Sequence, residues 1–353
     1  MDYKNKTAKL IATIIKNAKS LNRETAFAIA STTKKEAQVY FTPIRDDGVV
    51  IIAGVIVFDE NEAKEIAKII DGRIKYIFVD SEKKIKKRNS KHLANIERIV
   101  KENIKKSKLF TYKANDLTVE ALDMLITRVY DKDKRGVGGK NIAVIGCGNI
   151  GFKISLKLLE RGANVLINRR NENVIKLFKK TLNTVKPKST KAKIQGSTNK
   201  LKISEKADVI IGLSSGSPTI SESMIKKINT SAIVIDAGKG TLTQEAIKRV
   251  LKRKLQFYRL DVNLAFKSMI YKNLLEYKEA IPILGKRKFF NEVIVSGGVF
   301  ALNNEIVVDN YKNPKYIYGI SNGRGDFYRS LDKEQIKRIK ILKENIDKYT
   351  DKI

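Results

Sequence analysis

Residues 141–151 read NIAVIGCGNIG, and this stretch decides the fold. Ile142 to Ile145 is an unbroken apolar run, the pattern of a strand buried on both faces of a parallel sheet. Gly146, Gly148 and Gly151 follow at G-x-G-x-x-G spacing, Phe152 to Leu159 continues with helical periodicity, and Ala163 to Ile167 reads as the next strand. A lone G-x-G-x-x-G is a weak signal; inside a complete strand–turn–helix–strand unit it is a specific one. Gly146 makes the tight turn, Gly148 lets a pyrophosphate reach the backbone, and Gly151 allows the helix to pack on the strand. The N-terminus of that helix offers unpaired N–H groups and the positive end of a dipole to that anion, and Asn149 and Ile150 of the loop are expected at the cofactor.

The pattern continues downstream. Ala207 to Leu213 (ADVIIGL) is a strand followed by Ser214-Ser215-Gly216-Ser217-Pro218. Ser231 to Ile235 (SAIVI) is another, ending at Asp236-Ala237-Gly238-Lys239-Gly240, and Leu255 to Leu260 is a sixth, ending at Asp261. Residues 139–262 therefore read as a Rossmann domain, a doubly wound parallel α/β sheet that binds a dinucleotide. Ligands of such sheets lie beyond the carboxyl ends of the strands, so Ser214, Ser215, Gly216, Asp236 and Gly238 are expected beside the cofactor, with Asp261 a further possibility. An NAD enzyme carries Asp or Glu after the second strand, about twenty residues past the first glycine, to bind the ribose 2′-OH. This chain has Asn168-Arg169-Arg170 there. Two guanidiniums suit a 2′-phosphate, so NADP(H) is expected ahead of NAD. Cys147, inside the glycine loop, reads as a small filler and not a nucleophile.

On the amino-terminal side, Ala8 to Leu21 has apolar residues at helical spacing. Strands are expected at Thr25 to Ser31, Gln38 to Ile44, Val49 to Phe58, Ile74 to Val79 and Leu109 to Tyr112, with a turn at Arg45-Asp46-Asp47-Gly48. Helices are expected from Glu60 to Ile70, from a serine cap at Ser90 to Lys105, and from Asp116 to Tyr130. Residues 1–138 thus form an N-terminal α/β substrate domain, joined through a polar, glycine-rich linker at 131–139. Residues 263–353 read as a helix (Asn263 to Ala280), three strands (Val293 to Val299, Glu305 to Val308, Tyr316 to Ile320) with a hairpin turn at Asn303-Asn304, and a final helix from Asp332 to Tyr349. Its apolar stripe is Ile336, Ile339, Leu342 and Ile346. This segment is expected to pack back on the N-terminal domain and complete it. The loop Ser321-Asn322-Gly323-Arg324-Gly325-Asp326 reads either as an anion site or as a plain connection.

The chain has 353 residues, 42% of them hydrophobic, and a formal net charge of +33. Lysine dominates the basic residues, which are spread along the whole chain, so a nucleic-acid partner is not expected; arginine is the residue of bidentate phosphate and guanine contacts. The positive field instead favours an anionic substrate or cofactor. No apolar run spans a bilayer, no signal peptide opens the chain, and one cysteine excludes an intrachain disulfide, so a cytoplasmic location is expected. A homodimer is left open. His92 is the single histidine, which excludes histidine-rich metal sites, and no metal is expected.

The segments GCGNIG, NRR, ADVIIGLSSGSP and SAIVIDAGKG resemble the cofactor domains of shikimate dehydrogenase, glutamyl-tRNA reductase, methylene-tetrahydrofolate dehydrogenase and adenosylhomocysteine hydrolase. The likeness covers about a third of the chain and is specific for the domain, not for the substrate. Shikimate dehydrogenases place a catalytic lysine after a strand of the first domain and an aspartate before the helix entering the second. By position this resemblance implies Lys83 and Asp116 as catalytic residues moving a proton as hydride moves. The surrounding motifs differ: the lysine lacks its N-V-T-x-P-x-K context and the aspartate its following glycine, so Lys83 reads equally as a surface residue and Asp116 as a helix cap. Glutamyl-tRNA reductase is disfavoured because the first domain has no cysteine. The expected function is that of an NADP(H)-dependent oxidoreductase acting on a small polar, anionic hydroxy or carbonyl substrate in an interdomain cleft. The alternatives are a C–N or folate-type dehydrogenase, a hydrolase using NAD transiently, and a non-catalytic nucleotide-binding regulatory protein.

Overall fold

The computed structural model describes residues 3–32, 38–86, 91–214 and 217–350. The chain divides into two units, Met1–Met269 and Ile270–Ile353.

The first unit opens with α1 (Tyr3–Ser20), β1 (Glu24–Ser31), β2 (Tyr40–Phe41), β3 (Arg45–Asp46), β4 (Val50–Val57), α2 (Glu60–Ile70), β5 (Tyr76–Asp80), α3 (Ile96–Asn103), β6 (Lys108–Tyr112) and α4 (Ala114–Val129). The sheet order is β2-β4-β1-β5-β6, with β3 also on β4. Strands β4, β1, β5 and β6 run parallel, while β2 and β3 pair antiparallel with β4. The strand expected over 38–44 shortens to β2, and β3 takes the first two residues of the turn expected at 45–48; Pro43, which cannot donate to a ladder, lies between them. Ile11, Ile14 and Ala18 of α1 and Ala63, Ile66, Ala67 and Ile70 of α2 fall at helical spacing and meet Phe27, Ile29, Ile51, Val55 and Ile77 of the sheet in one core. Helix α2 starts where the sequence places it, on a capping box between Asp59 and Glu62. Helix α3 is capped by Asn95, so it begins later than expected; the serine cap proposed at Ser90 lies outside the described residues.

The second sheet follows: β7 (Asn141–Ile145), α5 (Asn149–Glu160), β8 (Asn164–Asn168), α6 (Glu172–Val185), β9 (Ile194–Ser197), α7 (Lys200–Ser204), β10 (Val209–Gly212), α8 (Glu222–Lys227), β11 (Ile233–Asp236), α9 (Gln244–Lys252) and β12 (Gln256–Arg259). All six strands are parallel, in the order β12-β11-β10-β7-β8-β9. This is the doubly wound Rossmann arrangement, with its switch point between β7 and β10. One face packs on α4, α5 and α6 and the other on α7, α8 and α9. Helix α10 (Asn263–Leu275) then returns to the first sheet, where Phe266 meets the Tyr112 ring edge-on at 5.8 Å and Asn263 accepts a hydrogen bond from Arg45. Burial pushes the Tyr112 phenol well above its ordinary range.

The second unit has a π-helical turn (Glu276–Ala280), a short 3-10 turn (Ile281–Ile283), β13 (Lys286–Phe289), β14 (Glu292–Ser296), β15 (Ile306–Val308), β16 (Ile317–Ile320) and α11 (Lys333–Thr350). Expected to complete the first domain, this segment builds a four-stranded sheet and an apolar core of its own, in which Leu342 and Ile346 meet Phe289, Ile294, Ile306, Val308 and Ile320. Ile339 joins that core at its edge, but Ile336, assigned to the same stripe, is exposed. The turn at Asn303-Asn304 is present, yet it joins no hairpin: β14 and β15 pair in parallel. The hairpin is β13–β14, turned at Phe290, whose φ of 52° is left-handed.

A Cβ on Gly212 would lie 2.0 Å from Thr241 Oγ1, which Asp236 holds at 2.8 Å. Gly212→Ala is expected to cost about 1–3 kcal/mol, read by urea unfolding; an unchanged midpoint would show that the β11–α9 loop yields freely.

Candidate functional site

A cavity of about 830 Å³ opens at the carboxyl ends of both sheets of the first unit. The Rossmann side contributes the glycine loop from Gly146 to Gly151, Asn168, Arg169, Arg170, Lys200 and Ser214. The first sheet contributes Ser31 and Thr32 after β1, Lys84 after β5 and Asn115 in the first turn of α4.

The three glycines have distinct surroundings. Gly146, at φ 84°, takes a left-handed turn, and a Cβ there would lie 2.9 Å from Ser214 N. Gly151 packs within 3.2 Å, measured from a would-be Cβ, of Val144 and Cys147. Gly148 has nothing nearer than the Gly146 carbonyl at 4.0 Å, so the space a side chain would fill is open where a pyrophosphate would approach. Gly148 caps α5 without a side-chain bond, and Asn149 and Ile150 line the cavity beside it. The residues present therefore fit a dinucleotide.

Cys147 is fully buried under this loop. Burial pushes its thiol up to about 12, against smaller opposing effects of a Ser155 hydrogen bond and the Arg169 charge. It is a filler, as expected, and protonated at neutral pH.

The residues after β8 divide their work. Asn168 is 4% exposed and donates from Nδ2 to the carbonyls of Ser197 (2.9 Å) and Thr198 (3.1 Å), while its own carbonyl receives the Cys147 N–H at 2.9 Å. It ties β8 to the end of β9. Arg169 donates to the Cys147 carbonyl at 3.0 Å and lies over the Phe178 ring at 5.6 Å. Arg170 is exposed at the cavity rim. Lys200, at the start of α7, lines the same cavity; the sequence reading missed it because its strand, β9, is short and largely polar.

Ser214 lines the cavity, with its hydroxyl donating to the Ser217 carbonyl at 2.7 Å and lying 2.8 Å from Thr219 Oγ1. Ser215 and Gly216 lie outside the described residues. Asp236 and Gly238 are not among the cavity-lining residues. The Asp236 carboxylate closes its own turn, accepting from Gly240 N–H at 2.7 Å and from the Thr241 hydroxyl. Gly238 is needed for packing, since a Cβ would lie 2.1 Å from the Ser214 carbonyl oxygen. Asp261 accepts from the backbone N–H of Asn263 and caps α10.

The first-sheet wall differs by one residue from the expectation. Lys83 is exposed; Lys84 enters the cavity. The Lys84 side chain, 12% exposed, is held by Asp80 Oδ2 at 2.6 Å and Glu82 Oε2 at 2.8 Å. The same carboxylates accept the first N–H groups of α4: Ala114 to Asp80 Oδ1 at 3.2 Å, and Asn115 to Glu82 Oε2 at 2.9 Å. Lys113, the N-cap of α4, supplies no side-chain bond, so Asp80 and Glu82 cap the helix from another element. Asp116, read as a catalytic residue or a cap, is neither a cap nor a cavity residue: it pairs with Lys153 of α5. His92 is exposed, and among the described residues no group of His, Cys, Asp and Glu could hold a metal ion. No helix of the described residues is long and apolar enough to cross a membrane.

Residues 141–240 match the family described as NADP oxidoreductase, coenzyme F420-dependent. No curated protein matches the chain in sequence. Among solved structures the chain is similar to L-tryptophan dehydrogenase from Nostoc punctiforme, at 13% identity over 74% of this chain and 77% of that one, TM-score 0.41. It is also similar to ornithine carbamoyltransferase from Pyrococcus furiosus (13%, 78% and 95%, TM-score 0.40) and to a dipicolinate synthase chain from Bacillus halodurans (12%, 72% and 97%, TM-score 0.36). At these values the likeness concerns the course of the chain and not the chemistry. The family match, together with the glycine cradle, identifies an NAD(P)-dependent oxidoreductase, a dehydrogenase or reductase.

The buried groups set two expected outcomes. Asp80 has a side chain with no exposure, so Asp80→Ala leaves Lys84 with Glu82 alone and the Ala114 N–H without its acceptor, and is expected to cost about 1.5–3 kcal/mol in urea unfolding; a loss below about 1 kcal/mol would contradict the double role. The Cys147 thiol titrates higher in the folded chain (about 12) than at its ordinary value of 9.0, so its contribution to stability is full below the unfolded value and is lost as pH rises through the folded one. A thiol reagent at neutral pH is therefore expected to leave native protein unlabelled and to label one site after denaturation.

Proposed function

We propose that the protein is an NADP(H)-dependent oxidoreductase that acts on a small anionic hydroxy or carbonyl compound bound against the first-sheet wall of the cavity. The observation that carries this reading is that one cavity joins the glycine cradle to Lys84, Ser31, Thr32 and Asn115. A bound nicotinamide supplies the hydride acceptor or donor. The lack of a carboxylate after β8, with Arg170 at the rim, supports the phosphorylated cofactor.

Lys84 is the residue suited to the substrate oxygen. Its ammonium has three donors. Two are taken by Asp80 and Glu82, which fixes the head group, and the third remains for a ligand. A positioned ammonium of this kind stabilises negative charge developing on a carbonyl oxygen, or hands that oxygen a proton. Ser31, Thr32 and Asn115 add neutral hydrogen-bonding groups along the same wall. This polar, ionisable lining favours catalysis over a purely regulatory nucleotide site.

Fluorescence titration with NADPH and NADH tests the cofactor, with binding of NADPH and a weaker response to NADH expected. No binding of either would sink the proposal, and a preference for NADH would sink the choice of cofactor. Turnover can be sought by following NADPH oxidation against a panel of small oxo acids. Lys84→Ala is expected to lower turnover by about 10²–10⁴-fold, whereas Lys83→Ala leaves it unchanged. Equal effects of the two would remove Lys84 from the site.

A further inference from the structure

We infer that Lys200, together with Arg170, selects the cofactor's 2′-phosphate, and that Arg169 does not. The inference rests on the NADP(H) reading above and assigns its specificity to particular residues.

Four cationic side chains line the cavity, Lys84, Arg169, Arg170 and Lys200, and no carboxylate is among the described residues that line it. Their states of pairing differ. Lys84 is neutralised by Asp80 and Glu82. Arg169 is committed to the protein: its guanidinium donates to the Cys147 carbonyl and stacks on Phe178, which itself packs edge-on against Phe152 of α5 at 4.8 Å. The bond from Nη1 and the ring contact hold it against the glycine loop, so part of its donor fork is already engaged by the protein. Arg170 and Lys200 make no ion pair and no side-chain hydrogen bond among the described residues.

These two come from neighbouring parallel strands. Arg170 lies two residues beyond the end of β8 and Lys200 three beyond the end of β9, and Asn168 and Ser197, the last residues of those strands, are register partners. The Asn168 side chain ties those strand ends together through the Ser197 and Thr198 carbonyls, fixing the stretch from which Lys200 projects. In a Rossmann domain the adenosine ribose, which carries the 2′-phosphate of NADP, lies at the end of the second strand, here β8. A dianionic phosphate on that ribose would meet two cations with no competing carboxylate, one a planar fork and one a point charge. NADH presents only a neutral hydroxyl there and would gain little from either.

The test compares Kd for NADPH and NADH, by fluorescence titration, in the unaltered protein and in Arg170→Ala, Lys200→Ala and Arg169→Ala, each first checked for unchanged thermal unfolding. Arg170→Ala and Lys200→Ala are each expected to weaken NADPH by about ten- to a hundredfold, with NADH changed less than about twofold, and Lys200→Arg is expected to restore most of the loss. Arg169→Ala is expected to weaken both cofactors alike. Adenosine 2′,5′-bisphosphate against 5′-AMP gives the same comparison without the nicotinamide. If the unaltered protein binds NADPH in preference and Lys200→Ala keeps that preference, the assignment of Lys200 is overturned while the cofactor reading stands. If Arg169→Ala alone abolishes the preference, the division between the arginines is overturned. If the unaltered protein binds neither cofactor or favours NADH, the cofactor reading falls and takes this assignment with it.

Discussion

The cavity depends on how closely three backbone segments crowd around Ser214. From β7, Gly146 brings its α-carbon so near that a side chain would sit 2.9 Å from the Ser214 nitrogen; from β11, Gly238 would place one 2.1 Å from the Ser214 oxygen. Only hydrogen at both positions lets the loops after β7, β10 and β11 come together. Neighbouring strands β7 and β10 send their following helices, α5 and α8, to opposite faces of the sheet. A crevice therefore opens between them, and the pinched loops form its floor. Gly238, expected as a ligand contact, instead supports the floor from behind.

Much of this was legible because the governing constraints are local. The glycine spacing, the apolar runs of β7, β10 and β11 and the helical span of α2 each write their structure into a few consecutive residues. The errors arose where partners are distant in sequence. Nothing near residue 83 says which of two adjacent lysines turns inward; that is decided by Asp80 and Glu82, which also receive the N–H groups of a helix starting some thirty residues later. Asn168 and Arg169 line the cavity where the sequence expects them, but their bonds to the Ser197, Thr198 and Cys147 carbonyls, partners that only the folded sheet brings near, could not be read from it. Lys200 was hidden by the brevity of β9. The sheet within the last unit was not legible because it mixes parallel and antiparallel pairs across short strands, which hydrophobic pattern alone does not order.

The charge of the chain also looks different at the site than in bulk. A net +33 spread over many lysines says little about any one place. Around the cavity the distribution is structured: a neutralised lysine on the first-sheet wall, an arginine used as a brace, and two uncompensated cations at the β8–β9 edge. Residue pairing, not residue count, gives the field its direction.

Helix α4 has a mechanical consequence. Its tip is fastened to Asp80 and Glu82, the residues that grip Lys84, and its body is riveted to α5 by Asp116–Lys153 and Asp123–Arg161 as well as by the shared apolar core. Helix α5 is the one whose first turn forms the phosphate cradle. The ammonium on one wall and the cradle on the other are thus connected through one pair of packed helices. A change at the α4–α5 contact would therefore reach both walls of the cavity at once.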